Sequence, residues 1–244
     1  LPHLYESKED LYIMSTATNS VTISQETLNI LKNFASINSN LHVKPGQTLT
    51  TISPSSTILA EAKVNENFDT EFGIWDMAKF LSTISLFKDP EFIFEDTHVT
   101  IMSTGSNASV KYFYSDPQLL TKVEKKITMP KIAVSFDLNS NNLSSILKAA
   151  SVLQAPDMCV ESCDDGICVR VCDKKDPTAH SWSLVVGENK KDLNFSFWFK
   201  VEYMKMLPGD YHVHFAEKRV AKFEGTSIPV NYWVPMESDS SIKG

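Results

Sequence analysis

Apolar side chains recur at helical spacing over residues 23–37, ISQETLNILKNFASI, where Leu28, Leu31, Phe34, Ala35 and Ile37 fall on one stripe. Ser24 stands where an N-cap is needed, its hydroxyl free to accept from an otherwise unpaired helix N–H. The pattern returns over residues 139–153, NSNNLSSILKAASVL, with Leu143, Ile146, Leu147 and Ala150 inward and Asn or Ser available to cap. The two predicted helices lie about 115 positions apart.

The segments after the two helices also match. Residues 41–52 and 158–172 read as two short paired strands broken at Lys44-Pro45-Gly46 and at Asp164-Asp165-Gly166. Alternating strand patterns come next at 57–64 and 179–186, then at 68–75 and 193–199, where Phe195, Phe197 and Phe199 share one face. A shorter helix is predicted at 76–87, with Met77, Phe80, Leu81 and Ile84 inward. Its counterpart is predicted near 200–206, stopped by Pro208-Gly209. Three strands close each half, at 91–95, 98–103 and 108–114, and at 210–216, 219–224 and 229–234.

A repeat of this length is a duplicated domain and not a solenoid period. The organisation it predicts is an extension outside the fold at 1–20, a first domain at 21–114, a charged, Pro-flanked linker at 115–131, a second domain at 132–240 and a tail at 241–244. Two domains of about 110 to 120 residues are each large enough to bury a core. The fold class is α+β: two tandem similar domains, each with its helices on one face of antiparallel sheets.

Composition adds limits. No apolar run approaches the roughly 18 residues of a membrane span, so a soluble protein is expected. Leu1 to Ile13 precede Met14 and lack a basic segment followed by an apolar one. They read as a vector remnant or an upstream start, not a secretory signal. The compartment is then cytoplasmic and reducing, and the four cysteines are expected as thiols. A net charge of −7 would repel nucleic acid if spread evenly, so any such contact must come from local basic patches.

Several stretches resemble the sliding clamps of T-even-like bacteriophages, relatives of the eukaryotic proliferating cell nuclear antigen. They are Leu31 to Ser39 (LKNFASINS), Met204 to Tyr211 (MKMLPGDY), Ala221 to Gly225 (AKFEG) and Val234 to Ser240. The similarity runs in order from about residue 21 to 240. It implies the DNA-clamp (processivity) fold and a head-to-tail homotrimer whose six similar domains form a ring around duplex DNA, helices lining the hole. It implies as partners a replicative DNA polymerase, an ATP-dependent clamp loader and late-transcription factors, in the cytoplasm of an infected bacterial host. Neither a cofactor nor an enzymatic activity is expected.

On that geometry the polar stripes of the helices should be basic or neutral. The first carries Lys32 among Gln25, Asn29 and Ser36, with Glu26 confined to the first turn, where a carboxylate suits the helix dipole. The others carry Lys79, Lys148, and the pair Lys200 and Lys205 beside a single Glu202. Lys32, Lys79, Lys148, Lys200 and Lys205 are the candidate DNA-facing residues, although any one of them could simply solubilise its helix. The resemblance also implies a pocket for partner peptides near the linker and the last strand, with Ile127, Met129, Val234 and Met236 as candidates. Linker packing and strand-end burial are the plain alternative for each.

Other chemistry is tempting. Cys159, Cys163, Cys168 and Cys172 suggest zinc, but a two-residue Asp165-Gly166 turn sets Cys163 across from Cys168 and Cys159 across from Cys172, with the pairs about 13 Å apart along the strands. One zinc cannot span that gap. His212 and His214 share a strand face with no third ligand placed by sequence, so no metal is expected. Asp164, Asp165, Asp173 and Asp176 sit on turns, where Asp is ordinary, which speaks against a metal-dependent nuclease. The competing reading is a viral two-domain interaction protein that shares the fold without encircling DNA.

Overall fold

Among the described residues, three α-helices form where the apolar stripes fall. The computed structural model describes residues 20–103, 105, 107–123, 128–190 and 193–243. The first half runs β1 (Ser20–Thr22), α1 (Gln25–Ile37), β2 (Leu41–Val43), β3 (Gly46–Ile52), β4 (Leu59–Phe68), β5 (Phe72–Ile74), α2 (Met77–Ile84), β6 (Pro90–Phe94), β7 (His98–Ser103) and β8 (Ser109–Phe113). The second runs β9 (Ile132–Leu138), α3 (Ser140–Leu153), β10 (Asp157–Cys163), β11 (Gly166–Cys172), β12 (Trp182–Gly187), β13 (Asn194–Lys200), β14 (Tyr211–Ala216), β15 (Val220–Gly225) and β16 (Val230–Pro235), then β17 (Ser241–Lys243). Up to β16 the strands correspond one for one. Ser24, Asp76 and Asn139 cap the helices by accepting from the N–H groups of Thr27, Lys79 and Asn142.

The helix expected near 200–206 does not form. Only a 3-10 turn, Val201–Tyr203, answers α2, with no side chain capping it. The Val201 N–H is held by the Pro156 carbonyl at 2.9 Å, which extends the pairing of β13 with β10 by one residue before the 3-10 turn. The hairpin expected over 41–52 is also absent as a ladder: β2 pairs with β5, and β3 with β4. Pro45 and Gly46 (φ +117°) redirect the chain between them instead of closing a turn.

One half builds the sheet β1-β6-β7-β8. The other repeats that order as β9-β14-β15-β16, but within a six-stranded sheet, β3-β4-β16-β15-β14-β9. That sheet crosses between the halves through the β16–β4 ladder, from Val230 opposite Ala62 to Trp233 opposite Leu59. A five-stranded sheet, β12-β11-β10-β13-β17, completes the second half. Residues 241–243 are thus the strand β17 on the edge of β13 and not a free tail, and Ser20 begins β1.

Each half buries the face that meets its helices. α1 packs on α2, β3 and β4, and α3 on β11 and β12. Phe195, Phe197 and Phe199 point into the second core, where Phe197 stacks on Phe215 of β14 with ring centres 4.7 Å apart. Each such ring contributes roughly 1.5–3 kcal/mol by burial.

The β10–β11 register differs from the sequence expectation. Cys163 lies opposite Gly166, so Asp164 and Asp165 form the turn, Cys168 faces Glu161, Cys159 faces Arg170 and Cys172 faces Asp157. Gly166 is needed for close packing and not for the turn: its φ is +129°, and a Cβ there would overlap the Gly187 carbonyl oxygen. The expectation of four thiols is corrected too. Cys163 and Cys168 form a disulfide, and Cys159 and Cys172 are free and buried.

Candidate nucleic-acid and partner surfaces

Lys32 on α1, Lys79 on α2, Lys148 on α3 and Lys205 in the segment after the 3-10 turn are all exposed. Lys32 sits on the stripe opposite the buried Ile30, Leu31 and Phe34, and Lys79 follows the Asp76 cap. The segment carrying Lys205 is fastened to α1. The Lys205 ammonium donates to the Ser36 carbonyl at 2.8 Å, on the last turn of α1, where a cation suits the helix dipole. The Asn33 side chain returns a 3.1 Å hydrogen bond to the Lys205 carbonyl. Lys32 and Lys205 are thereby brought to one helix, beside an open depression of about 600 Å³ floored by Ile30, Met206, Leu207 and Pro229.

Lys200 does not join them. It ends β13 opposite Asp157, on the sheet face turned away from α3, and its ammonium donates to the Asp157 carboxylate at 2.6 Å. Asp157 is 1 % exposed. The hydrogen bond to Asp157 holds the Lys200 pKa above the ordinary lysine value, and the charge serves the fold. Misplacing this lysine comes from expecting a helix where the strand continues.

Among the strands that end the described sheets, two bear on assembly. β8 ends the four-stranded sheet and β12 ends the five-stranded one. Both carry exposed apolar side chains, Phe113 and Val185, 65 % and 44 % exposed. In the repeat β8 corresponds to β16, and β12 to β4, the two strands that pair inside the chain.

Two family models match in tandem. "DNA polymerase processivity factor" covers residues 24–102, and "gp45 sliding clamp, C terminal" covers residues 135–238. The chain belongs to the sliding-clamp family. The sliding clamp of Escherichia phage RB69 is 29 % identical over 90 % of this chain and 98 % of its own length. Those of Enterobacteria phage T4 and Vibrio phage KVP40 are 28 % and 27 % identical, over 90 % and 88 % of this chain and 98 % and 99 % of theirs. Among solved structures the Archaeoglobus fulgidus PCNA, described with the C-terminal region of FEN-1, superposes with a TM-score of 0.69 at 15 % identity, over 91 % of this chain and 99 % of that one. The Entamoeba histolytica PCNA gives 0.64 at 12 % identity, over 89 % and 98 %. These confirm the DNA-clamp fold. Sliding clamps are non-enzymatic processivity factors.

For the clamp's partner site, three of the four candidates fall among the described residues. Ile127 lies outside the described residues. Met129 is half-buried. Val234 shares the inner face of β16 with Val230 and Tyr232 and is fully buried, and Met236 is 7 % exposed within the same core. Alternation along a strand explains the miss, since neighbours on β16 point to opposite sides. On the outer face of β16 lies Trp233, 8 % exposed, with the Lys222 ammonium 5.8 Å from its ring centre and, among the described residues, no acceptor for its indole N–H.

Near the two histidines, His212 contacts Asp137, while His214 bonds Ser135 at 3.0 Å and approaches Glu224 at 3.7 Å. Strand pairing with β9 and β15 supplies these neighbours, which sequence spacing could not reveal. Among the described residues no group of three His, Cys, Asp or Glu side chains is arranged to hold a metal ion, and no helix is long and apolar enough to cross a membrane.

Proposed function

We propose that this clamp closes into a ring of three copies around duplex DNA and tethers the replicative polymerase. The observation that carries the reading is the pair of open edges. Inside the chain β16 joins β4, and the corresponding strands β8 and β12 end two different sheets, each with one edge unpaired. Pairing β8 of one copy with β12 of the next repeats the internal junction between chains, a head-to-tail contact that closes if the rotation closes. Phe113 and Val185 are the apolar side chains such a junction covers.

Lys32, Lys79, Lys148 and Lys205 then face the hole. They are sparse, exposed and unconnected to any base-reading element, which suits sliding: phosphate contacts hold a position on the duplex but carry no sequence information. A closed ring stays on DNA by topology, so weak contacts suffice. Opening it falls to an ATP-dependent clamp loader, and polymerase and late-transcription factors dock from outside, in the cytoplasm of the infected host. The two domains, 21–114 and 132–240, are the units of the ring, and 115–131 bridges them.

Sedimentation across a concentration series tests the assembly. Three copies of the 27.4 kDa chain give about 82 kDa. A species of that mass that retains circular DNA, and releases it when the DNA is cut, supports the ring. A monomer at every concentration refutes it and favours the non-encircling interaction protein.

A further inference from the structure

The hairpin of β10 and β11 ends in the Cys163–Cys168 disulfide, with Cα atoms 6.0 Å apart. Cys168 lies opposite Val185, the exposed apolar residue on the free edge of β12. The β11–β12 ladder shifts register at the same place, between Ile167 and Cys168. The hairpin tip also presses on the end of β12, because Gly166 packs against the Gly187 carbonyl so closely that no side chain fits. Staple, register shift and free edge therefore occupy one spot.

We propose that Cys163 and Cys168 form a redox-responsive modification site that sets the strength of subunit pairing; this rests on the β8–β12 junction proposed above. A strand edge accepts a second strand only when its backbone groups are aligned, and aligning them at the moment of pairing costs conformational entropy. The disulfide holds β11, its register shift and the β12 edge in the pairing arrangement beforehand. The dithiol form lets the hairpin tip and Val185 move, and the junction weakens.

Three further observations support the assignment. Both sulfur-bearing residues are half-exposed, so a small thiol can reach them. The two other cysteines on this sheet face are poor internal exchangers: burial pushes the Cys159 thiol up to about 12 and raises that of Cys172. The staple also stands only where it is needed. The corresponding turn in the first half, Lys44-Pro45-Gly46, has no cysteine, and the edge beside it, β4, is already paired within the chain.

The chemistry is thiol–disulfide exchange. One thiolate of a small dithiol attacks a protein sulfur, the S–S bond breaks and a mixed disulfide forms. The reagent's second thiolate then displaces the remaining protein sulfur. Cys163 and Cys168 gain two electrons and two protons, and the dithiol becomes a cyclic disulfide.

The test is sedimentation of the full chain in oxidised glutathione and in dithiothreitol, with the disulfide state read by mass spectrometry, alongside a Cys163→Ser, Cys168→Ser double variant. Reduction should raise the concentration needed for half-assembly about tenfold. The double variant should show the reduced value in both buffers. Equal assembly of the oxidised and reduced chain overturns this inference and leaves the ring standing. No assembly in either buffer overturns both. A redox response that persists in the double variant places the switch elsewhere and also rejects the assignment.

Discussion

The Tyr232 hydroxyl donates a 2.8 Å hydrogen bond to Asn33 Oδ1, joining the last strand of the second half to the first helix of the first. The same hydroxyl accepts from the Leu207 N–H at 3.1 Å, and Tyr211 donates to the Leu207 carbonyl at 2.5 Å. With the Asn33 contact to Lys205, these bonds fix the segment 204–207 against α1. Tyr232 is buried, so the network sits where unpaired groups are costly. Tyr232→Phe removes one hydroxyl and leaves Asn33 Oδ1 and the Leu207 N–H each without that partner. A loss of about 1–3 kcal/mol is expected, read as a lower urea midpoint with unchanged m-value.

The four exposed lysines and Lys200 should separate cleanly. Lys32→Glu, Lys79→Glu, Lys148→Glu and Lys205→Glu combined should shorten clamp retention on DNA and flatten its salt dependence, with sedimentation unchanged. Unaltered retention would remove their DNA-facing role. Lys200→Ala should do the reverse: the buried Asp157 carboxylate loses its cation, costing roughly 2–3 kcal/mol of stability, while DNA retention by the folded protein is kept.

Subunit pairing should respond to single charges at the free edges. Phe113→Glu on β8 or Val185→Glu on β12 introduces a carboxylate beside an edge meant to be covered, and each should shift the chain to monomer while leaving its melting temperature nearly unchanged. If both variants assemble like the parent, the β8–β12 junction is wrong.

Acid should destabilise the second half through His214. Burial, and next the charge of His212, hold its pKa below the ordinary 6.5. The unfolded chain therefore takes up the proton more readily than the native one. The contribution of a neutral His214 is complete above pH 6.5 and is lost as pH falls through that value toward the depressed native pKa. His214→Gln should flatten the decline of melting temperature between about pH 7 and pH 5; an unchanged slope would assign the decline to other groups.

Local signals are legible in the sequence. The stripes Leu28–Leu31–Phe34–Ala35 and Leu143–Ile146–Leu147–Ala150 are α1 and α3, and the caps Ser24 and Asn139 are where a helix start requires them. The pattern cannot supply which edges meet. Strand period says nothing of a β16–β4 ladder, and short strands such as β1 and β17, three residues each, are too brief for any period to register. The site errors have the same root. Lys200 is misplaced by sequence because the expected helix at 200–206 is only a 3-10 turn, Val201–Tyr203, and Lys200 still belongs to β13. Val234 is misplaced because one position along a strand exchanges inside for outside.

The β16–β4 ladder also orders events during synthesis. Ala62 and Leu59 lie early in the chain, yet the strand that covers their edge carries Val230 and Trp233 and leaves the ribosome far later. The first half can collapse around Phe34 and Phe80 on its own, with β3 on one side of β4, but the other edge of β4 must wait with its backbone groups open, a template for any extended stranger. Such a distant pairing makes for slow final closure and a premature intermediate prone to aggregate. Expression conditions that slow folding should therefore be punished at this seam first.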